Sequence, residues 1–158
     1  MESTDLLSII DKLIDHEPDK KAERKKSQYE VFLQIKSGIR RDLENLLNAK
    51  VDWNILPENC FHLEKSLVNY GLPDFTSINL AAKEYREQFI RIIESAIGRF
   101  ETRFARVEVI LSEDPDDVDR NLHFTIRAVL KGDMSSEVIS FNTRVEPINR
   151  KVYLEDYS

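Results

Sequence analysis

Cysteine is almost missing from this chain: Cys60 is the only one in 158 residues. A single thiol forms no disulfide within the chain and builds no cysteine-based zinc cage, which fits a reducing compartment. Glycine is scarce as well, with four residues. There is no Gly-rich phosphate loop, no Gly-x-Ser-x-Gly elbow and no His-Glu-x-x-His pair. No apolar run approaches the roughly 20 residues that span a bilayer. The amino terminus, Met-Glu-Ser-Thr-Asp, is acidic where a secretory signal is basic. The chain therefore reads as cytoplasmic, neither exported nor membrane-inserted. Positive charge is in deficit, 23 Lys and Arg against 29 Asp and Glu, with a pI near 5.2. That balance argues against a phosphate backbone as the main partner, so no nucleic acid is expected.

What is present is enough for one domain. Hydrophobic residues make up 41% and charged residues 33%, which gives a modest core under a heavily charged surface. Leu6, Leu7, Ile9, Ile10, Leu13 and Ile14 recur at spacings of three and four, predicting a short amphipathic helix over 3–14 led by Ser3 and Thr4. It reads equally as a segment docked on the parent domain or as a handle for a partner. Pro18 and the charged run 15–26 follow as a solvated linker. Its basic half, Lys20 to Lys26, has no interleaved aromatics and reads as plain linker ahead of the alternative of a nucleic-acid arm. The division expected is 1–28 as helix and linker, and 29–158 as a single domain.

Within that domain, Val31, Phe32, Ile35, Ile39, Leu43, Leu46 and Leu47 predict a helix from Tyr29 to Asn48, with Gly38 marking a close approach by another backbone. Leu63, Leu67 and Val68 suggest a helical turn leading into Tyr70-Gly71-Leu72-Pro73-Asp74. In that turn Gly71 can take positive φ, and Leu72, before a proline, is pushed to extended geometry. A second helix is predicted from about Ile78 to Ile97, with Thr76 or Ser77 as N-cap and Gly98 as a left-handed C-cap. The period then changes to alternation: Phe104 to Leu111, Leu122 to Leu130, Val138 to Val145 and a short terminal strand from Lys151 to Leu154. Helices first and hairpins afterwards make an α+β fold, with N-terminal helices packed on a small, mainly antiparallel C-terminal sheet.

Residues able to carry catalysis are few. His16, His62 and His123 share no metal-ligand spacing, and Cys60, two residues from His62, lacks a third orienting group. Glu101 with Asp114, Asp116 or Asp117 would have to lie roughly 5–10 Å apart across a cleft to act as a glycosidase pair. The acidic loop lacks the glycine and terminal glutamate of a calcium-binding EF-hand. No cofactor and no metal are expected, and the chain does not read as an enzyme.

The informative cluster is Phe100-Glu101-Thr102-Arg103-Phe104, at the junction of helix and sheet. Its opposite charges read either as a partly desolvated pair held at an interface or as an exposed pair that solubilises a bend.

Helix, Tyr70-Gly71-Leu72-Pro73-Asp74 turn, helix, Glu101-x-Arg103 and hairpin sheet together resemble the phage baseplate-wedge and TssE family, also called lysozyme-like. That family carries Glu-Pro-Arg at the bend; here Thr102 replaces the proline. DHEPDKKAE from Asp15 to Glu23, and Arg41-Asp42-Leu43-Glu44-Asn45-Leu46-Leu47-Asn48, are similar to the type VI secretion branch. The resemblance runs over roughly residues 5–154. It implies a non-catalytic subunit that joins TssF and TssG, and by extension TssK, in the wedge. The bend of Glu101, Thr102 and Arg103 faces that assembly, and the sheet offers an edge for the sheath proteins TssB and TssC. The partner-binding residues so implied include Tyr70, Gly71, Leu72, Pro73 and Asp74, with Lys151, Val152, Tyr153 and Leu154 on the edge. The rival reading is a lysozyme-like peptidoglycan hydrolase acting through Glu101.

Overall fold

Ser27 opens the first long helix by a reciprocal bond pair: its hydroxyl accepts from the Glu30 amide while the Glu30 carboxylate accepts from the Ser27 amide. The computed structural model describes residues 6–14, 27–51, 62–63, 66–73, 82–112, 122–132, 137–146 and 151–156. Three α-helices lie among them: α1 (Ile9–Leu13), α2 (Gln28–Asn48) and α3 (Lys83–Phe100). Strands β1 (Lys50–Val51) and β2 (Leu72–Pro73) form a small parallel pair. Strands β3 (Phe104–Ser112), β4 (Leu122–Leu130), β5 (Val138–Glu146) and β6 (Lys151–Asp156) form an antiparallel meander in chain order. The α+β architecture anticipated from the sequence is the one observed.

Period dictates packing. Ile35, Ile39, Leu43, Leu46 and Leu47 of α2 and Phe89, Ile93 and Ile97 of α3 are buried at helical spacing. Leu122, Phe124, Ile126, Ala128 and Leu130 alternate inward on β4, and Ile139, Phe141 and Val145 do so on β5. These faces close on one another as a single core, with α3 packed chiefly on β3 and α2 on β6. Truncating Phe89, which has no exposed surface, removes on the order of 3–5 kcal/mol.

Several expectations need correction. Helix α1 is five residues, not twelve, because Ser8 is its N-cap and accepts from the Asp11 amide. Leu6 precedes the helix and is buried in the core, so this end of the chain is docked. Helix α3 does not stop at Gly98. It continues to Phe100, and Glu101 is the C-cap, with its amide bonded to the Ile97 carbonyl. Phe100 is held there by packing against the core and edge-to-face against Tyr70. Ala82 precedes α3 without a side-chain cap; Thr76, Ser77 and the stretch to residue 81 lie outside the described residues. So do the linker 15–26 with His16, the residues around Cys60, and the acidic loop with Asp114, Asp116 and Asp117.

The terminal strand also differs from expectation. The Asn48 side chain donates to the Val152 carbonyl at 2.9 Å and accepts from the Val152 amide at 2.9 Å. The Leu154 amide donates to the Glu44 carboxylate at 3.3 Å. Side chains from the last turns of α2 thus occupy the outer main chain of β6 at Val152 and Leu154, where unfilled bonding capacity was expected.

Alternation locates the other edge. If Val152 and Leu154 point away from β5, their partners Val145 and Thr143 bond toward β4. The alternation then carries across β4 to β3 through Arg127, Thr125 and His123, opposite Glu108, Ile110 and Ser112. Val107, Val109 and Leu111 therefore direct their amides and carbonyls out of the sheet. Among the described residues, no backbone partner meets them.

Candidate partner-docking site

The chain returns on itself at Tyr70-Gly71-Leu72-Pro73. Gly71 has φ of 128°, and a Cβ there would lie 2.4 Å from the Ala49 carbonyl oxygen. Only glycine fits both constraints. The Leu72 amide then bonds the same Ala49 carbonyl at 2.9 Å, which starts the β1–β2 pair. The positive φ and the extended Leu72 anticipated from sequence are both found; Asp74 lies outside the described residues. The turn sets Tyr70 against Phe100, with ring centroids 5.3 Å apart at 73°.

Directly beyond Phe100, the bend folds its charges inward. Glu101 is 7% exposed and the Arg103 side chain 13%, so the reading of an exposed solubilising pair does not hold. Arg103 donates to Glu101 three times: its backbone amide at 3.1 Å, Nε at 2.7 Å, and Nη2 to the second carboxylate oxygen. Nη2 also donates to Asp42 of α2 at 2.8 Å. This is the planar, multi-donor geometry for which arginine is suited and lysine is not. Burial alone would lower the Arg103 pKa, but the bonds and charges of Glu101 and Asp42 outweigh it and hold the guanidinium charged. Burial, then the Asp42 and Glu101 charges, raise the Tyr70 phenol above its ordinary pKa.

The network continues outward. Arg41 Nε donates to Asp42 at 3.2 Å, Arg41 Nη1 to Asp11 at 2.9 Å, and Arg41 Nη2 to the Ser8 hydroxyl at 3.3 Å. Glu101, Arg103, Asp42, Arg41 and Asp11 thus alternate in sign from the bend to α1. Gly38 makes room for the last of them, since a Cβ there would lie 2.6 Å from Asp11 Oδ2. The close approach anticipated at Gly38 is therefore by a carboxylate, not by a backbone.

Thr102 is the exposed member of the tripeptide. Its carbonyl accepts from Lys131 Nζ at 2.7 Å, and the Arg103 carbonyl accepts from the Lys131 amide at 3.0 Å. Hydrogen bonds to Lys131 and Glu101 hold the bend where the resembling family uses a proline ring. Beside it lies an open cavity of about 320 Å³, whose lining includes Tyr70, Phe100, Glu101, Thr102, Arg103 and Asp42 together with Leu7, Ser8 and Ile9.

Tyr70, Glu101, Thr102 and Arg103 are brought together here. Lys151, Val152, Tyr153 and Leu154 are elsewhere, on β6. Asp42, Arg41 and Asp11 are members of the cluster that the sequence did not reveal. Asp42 and Arg103 are 61 positions apart and Arg41 and Asp11 are 30 apart, so no local spacing links them. Chemically, the arrangement is an ion cluster in which Arg103 bonds both Glu101 and Asp42. Both Glu101 side-chain oxygens accept from Arg103, and His123 lies half-buried on the outer face of β4. Among the described residues, no group of His, Cys, Asp and Glu is disposed to hold a metal, and no helix is long and apolar enough to cross a membrane.

Compared with known proteins, residues 33–135 match the family model of baseplate wedge protein gp25. The match covers well over half of the chain, from α2 through the turn and the bend to β4. No curated protein and no solved structure gives a significant match. On the strength of the family match, this chain belongs to the baseplate wedge protein gp25 family.

Proposed function

We propose that this chain is a structural subunit of a type VI secretion baseplate, working in the cytoplasm, which docks wedge proteins at the Glu101–Arg103 bend and starts the contractile sheath from its sheet. The baseplate role follows from the family, which is a structural one. The observation that carries the docking reading is the bend itself. A partly buried ion cluster bonds the backbone and side chain of Arg103 to Glu101 while leaving Thr102 and the cavity beside Tyr70 and Phe100 exposed. A rigid backbone with few rotamers left to order loses little entropy on association. TssF and TssG are the wedge partners that the sequence resemblance implies, with TssK a further candidate.

Sheath initiation through TssB and TssC rests on strand addition, in which an incoming strand completes an unfilled edge. The outward main chain of Val107, Val109 and Leu111 supports that reading on β3. On β6, a strand reaching Lys151, Val152, Tyr153 and Leu154 must first displace the Asn48 and Glu44 side chains. The hydrolase alternative gains nothing from the bend, because the bonds described for the Glu101 side chain all go to Arg103. Co-purification tests the docking reading. Thr102→Trp, which leaves the cluster untouched, should abolish recovery of TssF and TssG while the variant stays folded. Undiminished recovery would refute the assignment of the bend as the docking site.

A further inference from the structure

We propose that residues 6–14 form a releasable strap that closes one side of the cavity at the bend, with Asp11 as its latch. The strap is held at two points of different character. Leu6 is 2% exposed and part of the core, with Leu7 packed against it, a permanent anchor. Beyond Leu7, the hold is polar: Asp11 to Arg41 at 2.9 Å, and Ser8 to Arg41 at 3.3 Å. Helix α1 has five residues, far below the length at which a helix is stable alone. Its aliphatic side chains do not secure it either. Ile9 and Leu13 are each 78% exposed, and Ile10 and Ile14 are exposed too.

Two further observations fix Asp11 as the latch. The Asp11 side chain is 9% exposed although its helix is at the surface, because it sits in the notch left by Gly38. Arg103 Nη1, buried and without a hydrogen-bond partner among the described residues, flanks the same notch, 3.9 Å from where a Gly38 Cβ would be. The notch therefore joins the strap to the bend, and Leu7, Ser8 and Ile9 line the same cavity as Tyr70, Phe100 and Thr102. Segments held by few buried apolar contacts open locally at small cost. Opening removes one wall of the cavity and widens access to the bend. That consequence rests on the docking reading above; the latch does not.

Hydrogen exchange on the full chain tests the latch. The amides of Asp11, Lys12 and Ile14 are bonded within the strap. Asp11→Asn, which keeps the shape and removes the charge, should speed their exchange by about tenfold. Gly38→Ala should do the same by filling the notch. Exchange in residues 35–47 and 89–97 should stay unchanged in at least one of the two variants. Unchanged strap exchange in both would overturn the latch, as would equal acceleration of the core segments in both. Recovery of TssF and TssG is then compared. Greater recovery with Asp11→Asn supports gating, and equal recovery overturns it. If Thr102→Trp leaves recovery intact, the docking reading fails, and the exchange result alone judges the latch.

Discussion

Asp42 and Arg103 meet through a 2.8 Å bond between a carboxylate on α2 and a guanidinium on the bend, although 61 positions separate them. The bond ties the helical layer to the start of the sheet at the point where the chain changes from one to the other. Glu101 completes the tie from the C-cap of α3.

Removing Arg103 should be far worse than removing Asp42. Arg103→Ala leaves the Glu101 carboxylate buried without its partner, which costs about 3–5 kcal/mol. Asp42 is 30% exposed, so Asp42→Asn should cost only about 1 kcal/mol. Urea denaturation of the two variants gives the comparison, and equal losses would contradict the geometry.

Thr102 should accept the proline of the resembling family. Glu101 has φ −92° and ψ 87°, outside the helical region that a following proline disfavours. The Thr102 amide takes part in no backbone bond among the described residues. Thr102→Pro is expected to raise stability by about 0.4–1 kcal/mol, through the unfolded chain. A drop in thermal midpoint would show that the bend's own φ is incompatible.

Gly71→Ala should be among the most damaging single changes. It combines a left-handed φ with a 2.4 Å clash against a backbone oxygen, a strain of at least about 1–3 kcal/mol. The loss should appear as a lower denaturation midpoint, with exchange of the Leu72 amide accelerated.

Acid should free the strap before it unfolds the core. Burial raises the Asp11 pKa, but the bonds from Arg41 and Ser8 together bring it below the usual 3.8. A carboxylate lowered in the folded state contributes stability present above its unfolded pKa and lost as pH falls through the folded one. The groups facing it are Arg41 on its own contact, Asp42 beyond that, and Arg103 across the Gly38 notch. Strap protection, taken relative to the intrinsic exchange rate at each pH, should therefore be constant down to about pH 4 and fall below it, a profile that Asp11→Asn abolishes.

Uncovering β6 should make the protein sticky. Asn48→Ala with Glu44→Ala removes the three bonds that occupy Val152 and Leu154, leaving a second open edge. Sedimentation should show concentration-dependent association beyond that of the unaltered chain.

Period carried most of the fold into view. The inward faces of α2, β4 and β5 are readable because burial there repeats at 3.6 or 2 residues. Gly71 was readable because one residue type answers a backbone demand. Helix ends were not. Gly98 suggested a stop, yet side-chain packing of Phe100 carried α3 onward. Ser8 claimed the N-cap of a helix that the aliphatic pattern made longer. At the site, the local pair Glu101 and Arg103 was visible while its partners Asp42, Arg41 and Asp11 were not, since only tertiary packing brings them together. The occupied β6 edge was hidden for the same reason: nothing in the spacing of Asn48 and Val152, 104 positions apart, announces their bonds.

Docking at the bend is the claim on which the functional account stands, and co-purification from cells that express the full partner set tests it most directly. The unaltered chain should bring down TssF and TssG, and Thr102→Trp, folded and with the Glu101–Arg103–Asp42 cluster intact, should bring down neither. Equal recovery of both proteins by the two chains would contradict it.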